Sequence, residues 1–336
     1  MILRRRPMTM RDIPEITEII AYHPVLGPRY GRGIVDLRRA WLRVVGSDAT
    51  GTAVIQAGDD PSGPICYFGV SAFVTDDFVR EIKTQPPFWF GPELARRILR
   101  GDSPLLTDRQ VREANSGAGM NLICWESCVR PGFEKHNEIH RLIMTVFIEA
   151  HIGFRWKEVI NSQVDSAERL VWAMKTGGLL WDPRPGRYVE TLERDASEIV
   201  REPHLVGVTR EIELARPASW AGSWVGAMFD HRPPRCGFSR GEQRLLLLAL
   251  EGGTDQDLSQ KLCISVPTVK KSWLSVYRRV AEHLPELNLE DSHADTPSDV
   301  RGKEKKRRLL AYLREHFEEL RPFSPRLVSQ QAATAQ

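Results

Sequence analysis

The sequence predicts a mixed α/β (α+β) domain followed by an all-α segment. Three observations carry this. Residues 1–194 alternate stretches rich in β-branched and aromatic residues with stretches whose apolar residues recur at helical spacing. A Pro-rich stretch, His231 to Gly237 (HRPPRCG), then breaks the pattern, because helices do not continue through it. Beyond it the chain reads as helical to its end, apart from one polar stretch.

Taken in order, Ile2 to Arg4 starts a strand. Asp12 to Ala21 places Ile13, Ile16, Ile19 and Ile20 on one side of a helix, with Asp12 near its start. A second helix covers Ile34 to Val45, and Ile65 to Val74 reads as a strand. Residues 84 to 120 are irregular, with Pro86, Pro87, Pro92, Gly101 and Pro104, and hold one or two short helices. Asn121 to Val129 is a strand. Asn137 to Ala150 carries Ile139, Leu142, Ile143, Val146, Phe147 and Ala150 at helical spacing. Lys157 to Val164 is a strand, and Ser166 to Thr176 a helix ended by Gly177 and Gly178. Tyr188 to Leu192 reads as a strand. Residues 195–236 form a connecting region with a short buried helix from Ala218 to Phe229. Residues 237–285 make the all-α unit, 286–302 a polar linker, and 303–321 an amphipathic helix.

The composition is that of a folded chain, 41% hydrophobic over 336 residues. A net charge of +3 is too small to name a partner. No apolar run approaches the length that spans a bilayer, and MILRRRPMTMRDIPE has no apolar run behind its basic residues, as a signal peptide would. The five cysteines are irregularly spaced with no CxxC, so a disulfide framework is not expected and a reducing cytoplasm fits.

The all-α unit carries the chemistry. Ser239 precedes a helix with Leu245, Leu246, Ala249 and Leu250 on its buried side, ended by Gly252 and Gly253. Thr254, with Asp257 three residues on, caps a short helix whose Leu258 and Leu262 face the core. Ser265 caps the next helix, and Pro267 sits in its first turn, where a missing N–H costs nothing. That helix, Val266 to Leu284, sets Val269, Trp273, Val276, Tyr277 and Val280 on one face. Thr268, Lys270, Lys271, Ser272, Ser275, Arg278 and Arg279 lie on the others, four basic residues against the single acid Glu282. A short helix, a tight turn and a basic second helix is the arrangement that enters a DNA major groove.

The string FSRGEQRLLLLALEGGTDQDLSQKLCISVPTVKKSWLSVYRRV resembles the LuxR-type DNA-binding domain. Glu242 matches the acid of that family's Thr/Ser-x-x-Glu entry segment. TDQDLSQKLCIS matches its first helix and turn, and PTVKKSWLSVYRRV its recognition helix. Cys263 departs from the glycine usual at the turn; if the position needs positive φ, Cys costs roughly 1 kcal/mol or a little more. The resemblance implies a cytoplasmic, nucleoid-associated transcriptional regulator, with Thr268, Lys270, Lys271, Ser275, Arg278 and Arg279 contacting double-stranded DNA. A single recognition helix binds weakly, so a homodimer is expected; the tail-helix stripe of Leu309, Leu310, Leu313, Phe317 and Leu320 must be buried, either on its own domain or on a partner chain in support of that dimer, and RNA polymerase is a further expected partner.

The first half is similar to a GNAT acetyltransferase. RRRPMTMRDIPEITEII resembles that fold's opening strand and helix, and KEVINSQVDSAERLVWAMKTGGLLW its closing ones. The alternative function this implies is an acyl-CoA-dependent acyltransferase with an attached DNA-binding domain. The chemistry argues against activity. Such enzymes hold a pyrophosphate on backbone N–H groups in a Q/R-x-x-G-x-G/A loop. The corresponding RPGFEKHN, Arg130 to Asn137, has one glycine and two bulky residues there. Glu126 is a candidate general base. His136 and His140, near Cys124 and Cys128, are candidate metal ligands, but H-N-E-I-H is not H-E-x-x-H and no fourth ligand is evident. The expectation is no cofactor, no metal and no membrane partner. The first domain then serves sensing or assembly.

Overall fold

The computed structural model describes residues 2–58, 63–84, 88–164, 177–190, 203–216, 224–287 and 298–324. It is mixed α and β, with an eight-stranded sheet. The chain divides into two compact units, Met1–His151 with Arg155–Phe229, and Ile152–Phe154 with Asp230–Gln336.

The first unit runs β1 (Leu3–Arg6), α1 (Ile13–Tyr22), α2 (Leu26–Tyr30), α3 (Ile34–Val44), β2 (Thr50–Ala57), β3 (Ile65–Val74), α4 (Asp76–Thr84), α5 (Phe90–Arg100), α6 (Asp108–Ser116), β4 (Met120–Val129), α7 (Asn137–His151), β5 (Trp156–Val164), β6 (Leu179–Asp182), β7 (Arg187–Val189), β8 (His204–Thr209), α8 (Arg210–Ala215) and α9 (Trp224–Phe229). The strand order is β1-β2-β3-β4-β5-β8-β6-β7. Neighbours are antiparallel except β4 and β5, which are parallel and pair only from Met120↔Trp156 to Ile123↔Ile160. Past that point β4 continues beside β3 to Val129, while β5 continues beside β8. Between the pairs Ser71↔Cys124 and Val70↔Glu126, Trp125 is an extra residue, a bulge that bends β4.

From Phe68 on, period-two alternation sorts β3 between two cores, and an extra residue at Cys66, where the register with β2 shifts, puts Cys66 and Tyr67 on one side and Ile65 on the other. Ile65, Phe68, Val70, Ala72 and Val74 of β3 join Ile13, Ile16 and Ile20 of α1 and Leu37 and Trp41 of α3 in one cluster. Cys66 and Tyr67 join Ile139 and Val146 of α7 in another. The sheet is therefore covered on both faces. Trp41 meets Phe68 and Trp125 edge to face, at centroid distances of 6.2 and 6.0 Å.

Several expectations need correction. The strands Thr50–Ala57, Leu179–Asp182 and His204–Thr209 and the helix Asp76–Thr84 were not foreseen. Residues 195–236 are not simply a connection. Leu205, Val206 and Val208 of β8 are buried, and β8 lies between β5 and β6, so the first unit extends to Phe229. The expected helix 166–176 lies outside the described residues, as do 218–223 of the expected helix ending at Phe229 and 191–192 of the expected strand from Tyr188.

The second unit contains α10 (Arg240–Leu250), α11 (Asp255–Leu262), α12 (Val266–His283), a 3-10 turn Pro285–Leu287, α13 (Ser298–Glu315) and a 3-10 turn Phe317–Leu320. The tail helix begins at Ser298, earlier than the expected Lys303; residues 288–297 of the expected linker lie outside the described residues. Leu309, Leu313 and Leu320 are buried in one core with Leu245, Leu246, Leu258, Val269, Trp273, Val276 and Val280, and Leu310 and Phe317 pack against it. Of the two coverings open to the stripe, the helix's own unit takes it. The expectation that α13 supports a homodimer through these residues is corrected accordingly.

A buried carboxylate closes this unit. Glu319, fully shielded from solvent, accepts the backbone N–H of Arg235 at 2.9 Å and of Cys236 at 3.0 Å, and the Tyr312 hydroxyl at 3.2 Å. The Gln243 amide donates to the carbonyls of Glu319 at 3.4 Å and Arg321 at 2.7 Å. Burial, with the Glu319 charge beside it, pushes the Cys236 thiol up to about 12. All five cysteines are free thiols. No helix among the described residues is long and apolar enough to cross a membrane.

Candidate nucleic-acid interface

Three caps set the geometry of α10, α11 and α12. Ser239 and Glu242 form a capping box at the start of α10, and Thr254 and Asp257 another at the start of α11. Ser265 accepts the N–H of Thr268 at the start of α12, with Pro267 in the first turn. Gly252, at φ 90°, ends α10. Between α11 and α12 the chain turns at Cys263, which has φ 53° and is the only described residue other than glycine with positive φ. The Cys263 and Ile264 N–H groups bond to Gln260 and Ser259, and the Ser259 hydroxyl donates to the Ile264 carbonyl at 2.6 Å. The turn thus imposes the left-handed conformation that the usual glycine would accept freely. Cys263→Gly is expected to raise the stability of this unit by about 1 kcal/mol, read as a higher denaturation midpoint.

The inward face of α12 is Val269, Trp273, Val276 and Val280, all buried. The Trp273 indole N–H donates to Asp255 at 3.3 Å, and the Tyr277 ring stacks on it at 5.7 Å. Lys306 of α13 lies 4.9 Å above the Trp273 ring and 3.6 Å from Asp255. One member of the KEKKRR run is thereby committed inside the unit. Arg307 and Arg308 pair with Glu304.

The six residues assigned to DNA contact divide. Thr268, Lys270, Lys271 and Arg278 are exposed, and among the described residues Lys270, Lys271 and Arg278 have no intramolecular partner. The Thr268 hydroxyl is 2.8 Å from that of Ser265, as part of the cap. Ser275 and Arg279 are half-buried and, unlike Lys270, Lys271 and Arg278, are engaged within the unit. The Ser275 hydroxyl donates to Glu242 at 2.8 Å, and the Arg279 guanidinium sits 3.3 Å from the same carboxylate. Burial alone would raise the Glu242 carboxyl. The Ser239 N–H, the Ser275 and Ser239 hydroxyls and the Arg279 charge outweigh it and hold it below the usual range. Leu274, which the sequence reading passed over, is 65% exposed on the outward face.

The first unit brings a different set together. Glu126 is buried, accepts the Tyr30 hydroxyl at 2.9 Å, and lies 3.9 Å from the Arg29 guanidinium, which stacks over Trp89 at 3.5 Å. Burial and the Glu126 charge hold Tyr30 well above the usual tyrosine range. The Arg130–Asn137 loop bonds largely to itself. The Gly132 N–H donates to the Glu134 carboxylate at 2.7 Å, Phe133 N–H to Arg130 at 3.0 Å, and His136 N–H to Phe133 at 3.1 Å. Arg130 is held by Glu15 at 2.6 Å. His136 and His140 are exposed, whereas Cys128 is buried and burial pushes Cys124 up to about 12. Among the described residues no group of three or more His, Cys, Asp or Glu is placed to hold a metal.

No family model matches the chain, and no curated protein matches it. Two solved structures are similar to it. One is an uncharacterized protein from Bacillus halodurans, at 12% identity and TM-score 0.34, covering 68% of this chain and 92% of that one. The other is the C-terminal condensation domain of Ebony in complex with beta-alanyl-dopamine, at 10% identity and TM-score 0.34, covering 61% of this chain and 97% of that one.

Proposed function

We propose that the chain is a DNA-binding transcriptional regulator whose LuxR-type helix-turn-helix reads a promoter with α12. The observation that supports it most is the exposed cationic face of α12, unpartnered among the described residues, on a helix whose opposite face is buried. Lys270, Lys271 and Arg278 project from one side of a capped, rigid element. Solvated charges with no internal partner are free to replace counterions along a phosphate backbone. The helix also follows a short capped helix and a tight turn, the order in which such elements dock in the major groove.

The first unit is proposed as an α/β module, acyltransferase-like in layout, that senses a signal or mediates assembly. The adjacent parallel strands β4 and β5, which part after four residue pairs, support that layout. Acyl-CoA chemistry finds little support in the loop after β4. At Gly132 a carboxylate takes the N–H that a pyrophosphate would need, and the neighbouring amides bond within the loop.

The test is the salt dependence of binding to double-stranded DNA. Lys270→Glu and Lys271→Glu are each expected to weaken binding to all sequences alike and to flatten the slope of log affinity against log salt by about one. An unchanged slope for both variants would overturn the assignment.

A further inference from the structure

The outward face of α12 is not purely cationic. Leu274 lies at its centre, one turn after Lys270 and one turn before Arg278, with Lys271 three residues back. Its side chain is 65% exposed, while the apolar core of the unit is filled by Val269, Trp273, Val276 and Val280 on the other side of the helix. A scattered surface leucine needs no explanation. This one stands among three exposed cations that have no intramolecular partner among the described residues, at the middle of the surface proposed for DNA.

The chemistry of the groove names its target. Base edges in the major groove present hydrogen-bond donors and acceptors, which a leucine cannot engage, and one apolar group, the thymine 5-methyl. Phosphates likewise offer a leucine nothing. We propose that Leu274 reads a thymine 5-methyl group, so that the recognised half-site carries a T·A pair under the middle of α12, with Lys270, Lys271 and Arg278 positioning the helix around it. This rests on the DNA-binding reading above and adds sequence preference to it.

The experiment uses the full chain and its Leu274→Ala variant in a binding-site selection from randomised duplexes. The selected duplex is then remade with deoxyuridine, which lacks only the 5-methyl, at each preferred thymine in turn. The wild type should enrich thymine at one position and lose about three- to fivefold in affinity when that methyl is removed, the effect of burying one methyl group. Leu274→Ala should bind the thymine and deoxyuridine duplexes alike, with the salt slope unchanged, because no charge is altered. An equal deoxyuridine penalty in the variant, or no penalty in the wild type at any preferred thymine, overturns the proposal and leaves salt-dependent DNA binding standing. Failure of the folded wild type to retain any duplex removes both readings.

Discussion

Replacing Trp273 by alanine is expected to melt the helix-turn-helix. The ring is buried between α11 and α13, its N–H satisfies Asp255, Tyr277 stacks on one face, and the Lys306 ammonium lies over the ring. Alanine leaves a cavity that backbone caps cannot fill, and it frees an aspartate and a lysine that the indole positions. Loss of a buried tryptophan costs roughly 3–5 kcal/mol, a large part of the total stability of a small domain. Hydrogen exchange resolved along the chain checks it: the amides of 240–283 should lose most of their protection. Parent-like protection over that stretch would show that Trp273 does not hold the core together.

The second large effect is expected at Glu319. Alanine there strips an acceptor from the buried N–H of Cys236, from the N–H of Arg235 and from the Tyr312 hydroxyl together. An unpaired buried donor costs about 1–3 kcal/mol, so the whole change is of order 2–4 kcal/mol. Glu319→Gln keeps one acceptor oxygen and should fall between the parent and alanine. Denaturant midpoints of the three proteins check the order. Equal midpoints would mean that the carboxylate contributes nothing to folding.

The second unit was legible because its determinants are local. Thr254 with Asp257 and Ser265 with Pro267 lie within three residues of each other and cap their helices as read, and Ser239 with Glu242 closes a capping box at the same spacing. The suspected strain at Cys263 is there for the same reason. That Ser275 and Arg279 engage Glu242 is not legible locally, because Glu242 lies more than thirty residues away. The tail stripe was read correctly as apolar, but sequence does not say which surface covers it. In the first unit, Ile65–Val74 stands out as a strand because it is rich in aromatic and β-branched residues. Its neighbour Thr50–Ala57 (TGTAVIQA) did not, since small and polar residues dilute the signal and pairing with β3 decides it. The strand His204–Thr209 was hidden by its setting in a charged stretch; its long-range partners are β5 and β6.

The Glu319 clamp has a mechanical meaning. The segment that enters the second unit, at Arg235 and Cys236, and the segment that leaves it, at Glu319 to Arg321, are fastened to each other by one carboxylate and by Gln243. Tension applied to the two ends of this unit would be carried by those few hydrogen bonds, with α11 and α12 off the load path. For the same reason the tail is not an appendage that can be cut away to leave a working remainder. A chain ending at 302 would lose Leu309, Leu313, Leu320 and the fastening itself, and α12 would lose the frame that keeps it still.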